Sequence, residues 1–161
     1  MRLAGPALED YVARVAELLE RLGAVLDQPG ELWVRESPDG ARWFELEATI
    51  GGGPAPGAAI VIRERWRAGR AADFERSEYE YELLDRDQDV RRAFHLHDAD
   101  WFVERYQVVV HEHCEHPIGS TPCPHFEGSP VRDAFAAVMR LMEVWTDPEI
   151  PGCRALRCLD R

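Results

Sequence analysis

The chain has 161 residues, 45% of them hydrophobic and 30% charged, with a formal net charge of −11. That length supplies one domain with a real core and no room for a second, so residues 1–161 are expected to form a single unit. The apolar runs fall short of the roughly 20 residues that span a bilayer. The acidic surplus repels nucleic-acid phosphates within a Debye length of about 8 Å, which counts against a general nucleic-acid binder but not against a local basic site.

The N-terminal stretch MRLAGPALEDYVARVAELLERL carries acids where a signal peptide needs a basic start and an uncharged apolar run. A cytoplasmic setting is therefore expected, in which four cysteines are reduced thiols or metal ligands rather than disulfides. The sequence contains neither lysine nor asparagine; both use A-rich codons, so a high-GC bacterial genome is the simplest source of that bias.

Residues 7–26 read as an amphipathic helix, with Leu8, Tyr11, Val12, Val15, Leu18, Leu19 and Leu22 at helical spacing. The segment DQPG is expected to end it. ELWVRE and RWFELEATI flank the turn-rich SPDGA and predict a hairpin. AAIVIRERWR follows as a third strand, in which Arg63, Arg65 and Arg67 share one face and Ile62, Glu64 and Trp66 the other. SEYEYELLD alternates Glu78, Glu80 and Glu82 with Tyr79, Tyr81 and Leu83. DRDQD turns the chain into VRRAFHLH, and VERYQVVVHEH reads as the last long strand. Ser129 is the expected N-cap and Pro130 the first position of a helix running to about Trp145. Strands joined by short turns between two helices predict an α+β domain: an antiparallel, meandering β-sheet packed by an N-terminal and a C-terminal helix.

Every histidine lies between residues 95 and 125, four of the six within VVVHEHCEHPIGSTPCPHF. Strand parity puts His95 with His97 and His111 with His113, two H-x-H pairs suited to proton transfer or metal coordination. Their meeting depends on register. A turn at residues 98–100 leaves His97 opposite the neighbourhood of Trp101. A turn near Glu104 sets His97 opposite His111 and His95 opposite His113. A separate grouping, His113, Cys114, His116, Cys123 and His125, offers more than the four nitrogen and sulfur donors that a tetrahedral zinc ion takes.

The catalytic reading assigns proton transfer to His95, His97, His111 and His113, with Glu80 or Glu82 as an alternative base. Arg91, Arg92 and Arg105 stand beside these pairs as candidate phosphate-binding groups for a charged phosphorane. YEYELLDRDQDVRRAFHLHD, the strand into HEHCEH and the helix after PCPHFEG together resemble the TumE-type toxins of bacterial toxin–antitoxin systems and their relatives, over residues 78–146. The resemblance implies a toxin-like protein with a histidine-centred site acting on RNA, with an antitoxin-like protein partner, and it carries over His111 and His113 as the histidine-rich strand end. The alternative reading is a non-catalytic, zinc-stabilised module that binds a protein partner.

Overall fold

A computed structural model of the chain describes residues 1–28, 33–52, 56–69, 73–96, 110–115, 117–119, 123–125, 131 and 133–146. Its elements in order are β1 (Arg2–Ala4), α1 (Gly5–Arg21), β2 (Ala24–Leu26), β3 (Val34–Glu36), β4 (Arg42–Ile50), β5 (Ala59–Ala68), β6 (Asp73–Asp85), β7 (Val90–Leu96), β8 (Val110–Glu115), β9 (Cys123–His125) and α2 (Ala134–Thr146). The strands form one antiparallel sheet in the order β2-β4-β5-β6-β7-β8-β9, with β1 on β6 and β3 on β4. Two helices packed on an antiparallel sheet make the α+β architecture that the alternation patterns predict.

The helix α1 buries Leu8, Val12, Val15 and Leu19, each no more than 1% exposed; removing such side chains from water contributes roughly 1.5–3 kcal/mol apiece. It stops sooner than its apolar spacing suggests. Gly23 takes a left-handed conformation, φ 82°, and its N–H donates to Glu20 O at 2.9 Å. A residue in that region cannot continue a right-handed helix. Ala24–Leu26 therefore leave the helix and pair with β4, Ala24 opposite Ile50.

The second helix also starts later than expected. Ser129 and Pro130 lie outside the described residues, and Asp133 serves as the N-cap: its carboxylate accepts from Ala136 N at 2.9 Å and its carbonyl from Ala137 N at 3.0 Å. Ala134, Ala137, Val138 and Leu141 are fully buried. The Phe135 ring meets Tyr11 of α1 edge to face at 5.6 Å, so both helices share one side of the sheet.

Strand alternation fills that side with Phe44, Leu46, Ile60, Ile62, Trp66, Tyr81 and Leu83. The opposite side carries most of the charged members of the same strands, Glu45, Arg63, Glu80 and Glu82 among them. The SPDGA hairpin forms as expected, with Gly40 at φ 76° and Ser37 N donating to Ala41 O at 2.8 Å. The DRDQD turn is held by the Asp85 carboxylate, which accepts from Asp87 N and Gln88 N at 2.9 Å each. No helix among the described residues is long and apolar enough to cross a membrane.

Candidate metal and acid–base site

The charged face is organised by register. Antiparallel pairing puts Glu45 opposite Arg63, Arg63 opposite Glu80, Glu80 opposite His95 and His95 opposite His111, a single row across β4 to β8. Directly opposed residues share a face, so an alternating sequence on each strand becomes a continuous ionisable row. Arg63 donates to the Glu45 carboxylate and, at 3.0 Å, to Glu80.

Glu80, Glu82 and His95 form the centre of this face. His95 Nε2 stands 3.3 Å from Glu80 Oε1 and 3.7 Å from Glu82 Oε1. All three ligand-type atoms lie within 4.8 Å of one another, so the group could hold a metal ion. Donors bound to a tetrahedral ion at about 2.0–2.2 Å sit roughly 3.3–3.6 Å apart, close to the spacing already present. Arg91 ties the centre together, donating to Glu82 and to Glu115 of β8, with Glu80 3.8 Å away.

The electrostatics follow from these contacts. Burial pushes the Glu82 carboxyl upward, but its hydrogen bond with His95 and the Arg91 charge outweigh that and hold it at about 2. Burial works against the Arg91 charge, and Glu82 and Glu115 more than compensate. The carboxylate of Glu82 is therefore an anion throughout the neutral range. Beside the centre lies a depression of about 410 Å³ whose walls include Trp43, Arg63, Arg65, Glu78, Glu80 and His95.

The sequence-derived residues sort as follows. His95 is central. His111 takes the register position opposite it, and His113 sits opposite Ala93. The pairing thus follows neither of the two registers considered from sequence: it lies two residues from the one with a turn near Glu104, and both keep the same parity. His97, Arg105 and His116 lie outside the described residues. Arg91 is on the site face, whereas Arg92 is on the helix face, only 3% exposed and 5.6 Å from the Phe94 ring centre; consecutive strand residues cannot serve one face. The same rule divides the proposed zinc set. Cys114 pairs with Cys123, and His125 with Glu112, on one face, while His113 pairs with Pro124 on the other.

The carboxylates were visible in sequence only as an alternating run. Their partnership with His95 was countable from the turn: Asp85 opposite Val90 brings Glu80 opposite His95. Compared with protein-family models, curated proteins and solved structures, the chain matches none.

Proposed function

We propose that the open sheet face is a divalent-metal centre, with Glu80, Glu82 and His95 as protein ligands and the adjoining Trp43–Arg63–Arg65 depression as the place for an anionic substrate. The observation that carries this reading is the triad spacing, 3.3 and 3.7 Å about His95 Nε2. Two further features support it. A carboxyl held near pH 2 is a weak general base at neutral pH, since effective bases titrate close to the working pH, but it is well suited to hold a cation. The acids gathered around His95 (Glu80 and Glu82, with Glu115 nearby) also favour a bound cation. When bound, a divalent ion lowers the pKa of a coordinated water and supplies a hydroxide-like nucleophile for hydrolysis. The chain's own parts then act around it: Glu80 and Glu82 supply negative charge, Arg91 braces Glu82 against Glu115, and Arg63 and Arg65 attract the substrate's anionic group.

Titration with manganese, a hard ion suited to carboxylates and imidazole rather than thiolates, tests the centre. Wild type should bind one equivalent. Glu82→Gln and His95→Ala should each weaken binding tenfold or more, with melting temperature in chelator little changed. A flat wild-type titration would overturn the proposal.

The placement of His111 opposite His95 favours a second reading: metal-free acid–base cleavage of RNA by a cytoplasmic, toxin-like protein with an antitoxin-like partner. On that reading cleavage persists in chelator, and loss of one proton-transfer group costs about a hundred- to ten-thousand-fold. His111→Ala or His113→Ala should then abolish RNA cleavage and growth inhibition without unfolding the chain. Cleavage that stops in chelator would select the metal reading.

A further inference from the structure

The two ladder rows that leave the apolar core through β7 change character at the end of the sheet. One runs Leu83, Arg92, Cys114, Cys123, and the other Tyr81, Phe94, Glu112, His125. Leu83 and Tyr81 are fully buried, and Arg92 and Phe94 are 3% and 5% exposed. Beyond them, the same face of β8 and β9 is occupied by two cysteines, a histidine and a glutamate in a two-by-two block. Directly opposed Cα atoms are about 4.5–5.5 Å apart, and alternate residues along a strand roughly 6.6 Å. Four ligand-type residues thus share one patch of sheet face a single ion wide.

We propose that Cys114, Cys123 and His125 hold a zinc-type ion on this face, with Glu112 as the fourth donor. The site is distinct from the Glu80–Glu82–His95 centre, which lies on the opposite face and does not depend on it. Thiolates favour zinc over the hard cations that suit carboxylates. Each cysteine gives up its proton to solvent on binding, and Arg92 stands opposite Cys114 in the ladder. Two thiolates and a carboxylate leave one negative charge against a divalent ion, which Arg92 balances. Such a tie has a place in the fold. β9 has three residues and pairs with β8, while the main contacts of α1 and α2 are with β1, β2, β4, β6 and each other. A strand so short gains little from its own ladder, and a metal joining it to β8 would hold the sheet's last strand in register.

Cobalt titration of the reduced full chain tests this, because cobalt bound to thiolate gives charge-transfer absorption that carboxylate and imidazole sites lack. One equivalent with thiolate bands, displaced by zinc, is expected. Cys114→Ser and Cys123→Ser should remove or strongly shift the bands, and His125→Ala should weaken binding tenfold or more. His125→Cys, which exchanges one ligand for another, should retain cobalt with stronger thiolate absorption, so that misfolding alone does not mimic the result. His113→Ala, Cys153→Ser, Cys158→Ser and Glu82→Gln should leave the bands in place; retention in Glu82→Gln separates this site from the manganese centre. Absence of thiolate bands in reduced wild type would overturn the proposal, as would their loss in His113→Ala, Cys153→Ser or Cys158→Ser while Cys114→Ser keeps them. A Cys114–Cys123 disulfide whose reduction restores no cobalt binding would also overturn it.

Discussion

Arg63 and Glu64 are neighbours in β5, yet they belong to two opposite kinds of polar cluster. Arg63 joins the half-exposed row on the open face, between Glu45 and Glu80. Glu64 faces the helices with a fully enclosed side chain, and its Oε1 takes Tyr11 OH at 2.8 Å, Arg76 Nη1 at 3.1 Å and Tyr81 OH. Tyr11 OH in turn accepts from Ala134 N, the first residue of α2, at 3.0 Å. Burial pushes Glu64 up, against Arg76 and the two tyrosines, whereas on the open face Glu82 is held down. The same residue types become a structural brace where water is excluded and an available site where it is not. The brace joins α1, β5, β6 and α2, and the open face leaves its ion-paired acids accessible to solvent.

The largest test of that contrast removes a charge from the brace. Arg76→Ala leaves Glu64 buried and unpaired and should cost about 3–5 kcal/mol in denaturant unfolding. Arg65→Ala on the open face, where Arg65 is 41% exposed, should cost no more than about 1 kcal/mol. Equal losses would erase the distinction between the two clusters.

Next in size is the hinge between the brace and α2. Tyr11→Phe deprives Ala134 N and Glu64 of a hydrogen bond and should cost about 1–3 kcal/mol. Faster amide exchange at the start of α2, with the β4–β6 core still protected, would locate the effect; a uniform change would deny Tyr11 that local role.

A third test is the pH dependence of the open face. Glu82 is depressed from an ordinary 4.5 to about 2, so its stabilising contribution is present above about pH 4.5 and is lost as pH falls towards 2. Wild type should lose stability over that window, and Glu82→Gln should show a shallower decline. Identical acid profiles would remove Glu82 from the account.

Short-range periodicity made much of this fold legible. Helical spacing marked the buried face of α1, alternation assigned faces within β5 and β6, and the DRDQD turn was enough to count Glu80 onto His95. The end of α1 just before Gly23 was less visible, because the apolar residues on both sides of the glycine keep helical spacing, whereas Ala24–Leu26 pair with β4. The capping role of Asp133 was likewise obscured by the equally suitable Ser129.

The sequence alone determined which residues alternate, and so that His95 and His97 share parity, as do His111 and His113. Only the tertiary structure decided which strands pair and in what register. It set His95 opposite His111, put Arg92 on the face away from His95, brought Cys114 to Cys123, and enclosed Glu64 among Tyr11, Arg76 and Tyr81. The reason is physical: side-chain parity follows from the geometry of one strand, whereas register and burial depend on chain closure between residues far apart in sequence, which local propensity does not encode.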